Sequence, residues 1–173
     1  SERIAKLLVE RGFDSTKVRR IPNAVDTGRF AHRQADAPQR LQLCGDCAFV
    51  GVFVGRLEAE KGLEFLIEAW ARIFAARHDS RLMIVGEGSE REALQALCVE
   101  LGIADQIVFV GPSRVVETYL SIADFGVLTS LHEGLSNTLL EYMAAGLPVV
   151  GTRVSGTEDF VIDGRTGWLA EPG

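Results

Sequence analysis

The sequence is poor in cysteine, in basic charge and in long apolar runs, and each shortage removes a class of function. Its three cysteines are Cys44, Cys47 and Cys98. They fall short of a structural zinc site, which takes about four ligands. Cys44 and Cys47 form one C-x-x-C, but no second pair and no spaced histidine pair accompanies it, and no metal is expected. The motif precedes a strand instead of opening a helix, so it reads as two incidental thiols of an intracellular protein. No stretch of about 18 apolar residues is present, which excludes a membrane-spanning helix. No signal peptide opens the chain; it begins at Ser1, and Arg3 to Leu8 already reads as helix interior. Glu171-Pro172-Gly173 follows directly on a strand, so both ends are expected to be cuts in a longer protein. Bases are outnumbered, 18 against 24 acids, for a net charge of −6. Nucleic-acid binders normally carry a basic footprint, so no nucleic-acid partner is expected, although a local basic pocket for phosphate remains open.

What is present is ordinary for a globular protein: 47% apolar and 24% charged residues in 173. That length suits one domain, able to bury roughly 70% of the surface its unfolded chain exposes. Short apolar runs alternate with amphipathic ones. Strands are expected at 48–54, 81–85, 107–110, 125–128, 148–150 and 167–170, and helices at 63–77, 90–101, 115–123, 137–145 and 156–162. The first 45 residues are less regular, with an edge strand expected at 18–21 and a polar loop at 32–47 that contains Pro38. Continuous apolar strands between helices imply an α/β fold, a doubly wound, Rossmann-like parallel sheet of expected order 3-2-1-4-5-6.

In such a sheet a ligand sits beyond the carboxyl ends of the strands where the order reverses, here between strands 1 and 4. Strand 1 is followed by Gly55-Arg56-Leu57-Glu58-Ala59-Glu60-Lys61-Gly62. It lacks G-x-G-x-x-G, which argues against NAD and FAD. Arg56 offers a planar fork suited to phosphate, and Lys61 a compact point charge. A cation at a helix start opposes the dipole, which favours a ligand role for Lys61 over a pair of solvated surface bases.

Strand 4 is followed by His132, Glu133, Gly134, Leu135, Ser136 and Asn137. The unpaired N–H groups where the next helix opens suit a diphosphate, and Gly134 allows close approach. Capping alone would equally explain Ser136 or Asn137. Glu133 stands in the crevice, and Glu141 lies in the second helical turn amid Leu139, Leu140, Tyr142 and Met143. A carboxylate in so apolar a stretch needs a partner, and two ribose hydroxyls would serve; a solvated surface acid is the alternative. His132 is open between a sugar contact and an exposed loop residue. Gly86-Glu87-Gly88 and Gly111-Pro112-Ser113-Arg114 line the same edge and could hold a nucleobase through backbone groups.

The Glu133-x7-Glu141 spacing with Gly146-Leu147-Pro148-Val149-Val150 resembles the donor-binding domain of retaining GT-B glycosyltransferases of the group 1 (family 4) type. Ile21-Pro22-Asn23-Ala24-Val25-Asp26, Gly55-Arg56-Leu57 with Lys61-Gly62, Val85-Gly86-Glu87-Gly88 and Gly164-x-x-Gly167 occur in the family's order. Ala24 stands where glycine is commoner. The resemblance implies a metal-independent, cofactor-free transfer of a sugar from a UDP-sugar or GDP-sugar to an acceptor hydroxyl. By position it implies that Arg56 and Lys61 neutralise the diphosphate and that Glu133 faces the sugar near the reacting carbon. Glu141 would hold the ribose, the amides of Leu135, Ser136 and Asn137 the phosphates, and Gly111 to Arg114 the base. It also implies that the acceptor domain lies N-terminal to this chain and is missing from it. This piece alone is then expected to bind donor weakly and transfer nothing. The full protein would be cytoplasmic, or peripheral at the inner membrane face, acting on a glycan or lipid-linked glycan of the cell envelope. Two other readings stay open: a non-catalytic nucleotide-binding module and a sugar-nucleotide epimerase-like domain.

Overall fold

Six apolar runs form one sheet in the computed structural model, which describes residues 2–19, 21, 23–31 and 37–173. The strands are β1 (Phe49–Val54), β2 (Ser80–Val85), β3 (Ile107–Gly111), β4 (Phe125–Leu128), β5 (Val149–Thr152) and β6 (Gly167–Ala170). All neighbours pair in parallel, in the order β3-β2-β1-β4-β5-β6. Parallel pairing requires crossovers; helices supply them from β1 through β5, and a series of turns makes the last one, from β5 to β6. Successive residues of a strand face opposite ways, and the core divides accordingly. Leu82 and Ile84 of β2 join Phe53, Leu66, Ile67, Trp70 and Leu94 under α4 (Leu63–Ala76) and α5 (Arg91–Glu100). Met83 and Val85 join Val50, Val52, Leu139 and Tyr142 on the other face, under α6 (Val116–Leu120) and α7 (Asn137–Ala144). Each large side chain so buried contributes roughly 1.5–3 kcal/mol.

Before the sheet come α1 (Glu2–Glu10), α2 (Thr27–Phe30) and α3 (Ala37–Cys44). Asp26 begins α2 by accepting hydrogen bonds from the N–H groups of Gly28 (3.0 Å) and Arg29 (3.3 Å). Phe30 then enters the second core, and α2 packs against both α6 and α7.

Three expectations for local structure fail. Residues 32–47 were to be a loop, but 37–44 form α3, with Pro38 in the first turn, where its missing N–H costs nothing; 32–36 lie outside the described residues. The edge strand at 18–21 is not seen among its described residues: β3 and β6 are the sheet's edges, and Ile21 is 87% exposed. The helix expected at 156–162 is absent: residues 155–160 form successive turns closed onto the carbonyls of Val154 and Thr157. The helix expected at 115–123 is also shorter at both ends.

Where the strand order reverses, Tyr142 of α7 drives its ring down onto β4. A Cβ on Gly126 would come within 2.4 Å of that ring, so only glycine fits beneath it. The hydroxyl accepts from the N–H of Val54 (3.0 Å) and donates to the carbonyl of Val52 (3.1 Å), with the carbonyl of Val127 at 3.4 Å. One fully buried phenol thus ties the end of β1 to β4 and sets the seam that both following turns overhang.

Candidate functional site

The turns after β1 and β4 are cross-linked. The N–H of Leu131 donates to the carbonyl of Glu60 (2.9 Å). The hydroxyl of Thr129 donates to the carbonyl of Lys61 (2.8 Å), and that of Thr138 to the carbonyl of Val54 (3.2 Å). These bonds bring Lys61 Nζ to 2.6 Å from Glu133 Oε2, with both side chains under a fifth exposed. Ser130, itself buried, adds a hydroxyl bond of 3.1 Å to the same oxygen. Arg56 is placed differently. It is exposed and pairs with Glu60 at 2.6 Å, on the same turn but not with Glu133. Sheltered, hydrogen-bonded charge pairs are the stronger kind, and exposed pairs one turn apart add little.

Glu133 is also held through its backbone: Ser155 donates its hydroxyl to the Glu133 carbonyl at 3.1 Å. A Cβ on Gly156 would lie 1.3 Å from the carbonyl oxygen of Gly134, so the turn after β5 presses directly on the turn after β4. On the other side Asn23 donates its side-chain amide to the carbonyl of Leu135 (3.0 Å). Ser136 occupies the N-cap of α7 but makes no side-chain capping bond, and Asn137 is the first helical residue. Capping therefore does not account for Ser136, and the first turn of α7 keeps the positive end of its dipole. His132 is exposed on the same turn.

Glu141, eight residues beyond Glu133, is half-buried. Burial pushes its carboxyl above the usual carboxylate range; the positive charge of Arg29 opposes that shift, and the negative charge of Glu117 reinforces it. Arg29 stands out as a residue that sequence reasoning passed over. Its Nε and Nη2 bond one oxygen of Glu117 at 3.0 and 2.7 Å, and Nη2 also donates to the carbonyl of Arg114 at 2.6 Å. The helical turn carrying it was visible in Asp26-Thr27-Gly28, an N-cap followed by small residues. Its partners 85 to 88 positions away were not.

The loops after β2 and β3 are partly committed to internal bonds. The N–H of Gly86 donates to the carbonyl of Gly111 (2.9 Å), and the N–H of Leu57 to the carbonyl of Glu87 (2.9 Å). The Glu87 carboxylate pairs with Arg91 at 3.1 Å. Ser113 accepts from the N–H of Val115 at 3.1 Å in the turn just before α6. The geometry therefore forms two groups joined by α7. One is Lys61, Ser130 and Glu133 at the seam; the other is Arg29, Glu117, Glu141 and the Arg114 carbonyl.

Residues 48–173 match the family described as glycosyl transferases group 1. The chain belongs to that family. Among relatives, the lipopolysaccharide core biosynthesis glycosyltransferase LpsE of Rhizobium meliloti (strain 1021) is 34% identical over 170 residues, which cover 98% of this chain and 47% of LpsE. The group 1 fold recurs in the crystal structure of Anabaena Alr3699/HepE in complex with UDP, with a TM-score of 0.88 at 24% identity, covering 100% of this chain and 49% of that one. It recurs too in the C-terminal domain of the group 1 family protein LpcC from Francisella tularensis, with a TM-score of 0.71 at 25% identity, covering 86% of this chain and 80% of that one. The chain spans about half the length of the curated relatives it matches. Its sheet, with the order β3-β2-β1-β4-β5-β6, is the one expected of the C-terminal half of a GT-B glycosyltransferase.

Proposed function

We propose that this group 1 chain is the donor-binding part of a retaining hexosyltransferase that takes its sugar from a nucleoside diphosphate. The observation that carries the reading is the sheltered 2.6 Å contact between Lys61 and Glu133, held at the seam where the strand order reverses. A cation and a carboxylate side by side suit a ligand with an anionic half and a hydroxyl-rich half. In this reading Lys61 turns to the diphosphate, Arg56 leaves Glu60 to join it, and the amides of Leu135, Ser136 and Asn137 take the remaining phosphate oxygens. Glu133 and His132 meet the sugar, and Glu141 accepts bonds from the ribose hydroxyls. Gly86, Glu87, Gly111, Ser113 and Arg114 border the base.

Negative charge grows on the departing diphosphate, so the cations and the α7 terminus lower the barrier without a metal or other cofactor. The bond between the anomeric carbon and the phosphate oxygen breaks. The acceptor oxygen bonds that carbon on the same face, and its proton passes to the departing phosphate. The acceptor, a glycan or lipid-linked glycan, meets the sugar across a second domain of the full-length protein at the cytoplasmic side of a membrane. The names of LpsE and of the UDP-bound HepE support the donor and acceptor classes assigned here.

Titration of the chain with UDP, GDP and ADP tests donor binding. Glu133→Ala in the full-length enzyme should lower kcat by about 10² to 10³ with nucleotide affinity little reduced. Full activity of that variant would refute the reading, as would a product of inverted anomeric configuration.

A further inference from the structure

α2 is only four residues long, yet it is built with care. Asp26 caps it, Phe30 anchors it in the core, and it lodges between the two helices that border the nucleotide side of the site. Between cap and anchor stands Arg29, whose guanidinium lies 5.2 Å from the Phe30 ring centroid. Its fork meets Glu117 of α6 through two nitrogens, and one of those also meets the Arg114 carbonyl. Glu117 is only 11% exposed. One charged group therefore joins the segment before the sheet, the loop after β3 and the surroundings of α7.

We propose that Arg29 is a positioning residue for nucleotide binding: it fixes the Arg114 end of the loop after β3 against α6 and brings its positive charge to the side of α7 that carries Glu141. The proposal rests on the reading of Glu141 as the ribose acceptor given above. An arginine suits the double task because its fork holds two acceptors at fixed angles and never loses its proton.

The sign of the effect follows from the charges that face Glu141. Burial and the neighbouring Glu117 both favour its protonated form, and Arg29 opposes them, while Asp26 acts on Arg29 from its own turn. Without Arg29 the opposition is gone, and Glu141 protonates at a higher pH. Protonation turns one carboxyl oxygen into a donor and removes the charge that strengthens the other as an acceptor, so the bonds from the ribose hydroxyls weaken and binding should fall first on the acid side.

The test is calorimetric titration of the chain with UDP, or with GDP or ADP if that binds more tightly, at pH 5.5 and pH 8.5. Arg29→Gln should weaken binding about tenfold at the lower pH and about threefold or less at the higher one. Arg29→Lys should keep most of the pH profile, because charge remains, while losing part of the affinity with the fork. Glu117→Gln should move the acid limb the opposite way, and Glu141→Gln should flatten it. Circular dichroism at both pH values establishes that each variant is folded. The same loss for Arg29→Gln at both pH values, or no loss, overturns the proposal. A chain of unaltered sequence that binds none of the three nucleotides overturns the donor reading itself and this inference with it.

Discussion

Changing Tyr142 to phenylalanine tests whether the seam between β1 and β4 is held as described. The substitution keeps the ring over Gly126 and removes only the hydroxyl. The N–H of Val54 then loses its acceptor, and the carbonyl of Val52 loses one donor, at a fully buried position. A buried donor left unpaired costs about 1–3 kcal/mol, more than the net worth of the bond itself, because water cannot enter to replace the hydroxyl. For a chain of this size each kcal/mol lowers Tm by about 2–4 °C, so a fall of about 2–12 °C is expected. Urea unfolding of the chain should show the midpoint falling with an unchanged slope, since the surface exposed on unfolding is the same. A fall in Tm below about 1 °C would mean that the Val54 amide finds another partner and that the phenol is not what ties the strands. The variant should also bind nucleotide more weakly, because Val54 directly precedes the turn that bears Arg56 and Lys61.

Burial pushes the Cys98 thiol up to about 11. Its contribution to stability is complete below the unfolded value near 9 and is lost as pH rises from there through 11. Cys98→Ala should therefore reduce the stability lost between pH 8 and pH 10 by about 1 kcal/mol, read by urea unfolding at both; an unchanged loss would show that the thiol titrates normally. Gly156→Ala places a carbon where the Gly134 carbonyl stands, 1.3 Å away, and must displace the turn carrying Glu133. Nucleotide affinity should drop at least about tenfold with the chain still folded, measured by the same titration, and unaltered affinity would show that the turn is not part of the site.

The sheet was legible because parallel strands covered on both faces leave long apolar runs, and Phe49 to Val54 and Ser80 to Val85 are such runs. Their order followed from handedness and the usual winding. α3 was not legible: Pro38 and two glutamines in residues 37–44 look like loop composition, and only the helix's first-turn tolerance for proline reconciles them. The turns at 155–160 were misread because a helical pattern of residues says nothing about the Gly134 carbonyl against which Gly156 packs. At the site, the nearness of Lys61 to Glu133 followed from topology, since both lie just past strands that pair. The Arg56–Glu60 pair was one turn apart and went unnoticed behind the expected phosphate role. For Arg29 the Asp26 cap marks the local turn, but nothing in a linear sequence points to a partner 88 positions on.

In the reading proposed above, the buttress formed by Ser155 and Gly156 separates two things that usually travel together, the residue that touches a substrate and the residue that determines where the touching group stands. Enzymes that diverge to accept a different sugar need not alter either acid. Changing a side chain in the neighbouring turn would shift the loop that carries Glu133 without altering the carboxylate itself. Donor preference in relatives of this chain should therefore be sought one loop downstream of the acids, in residues that never meet the sugar.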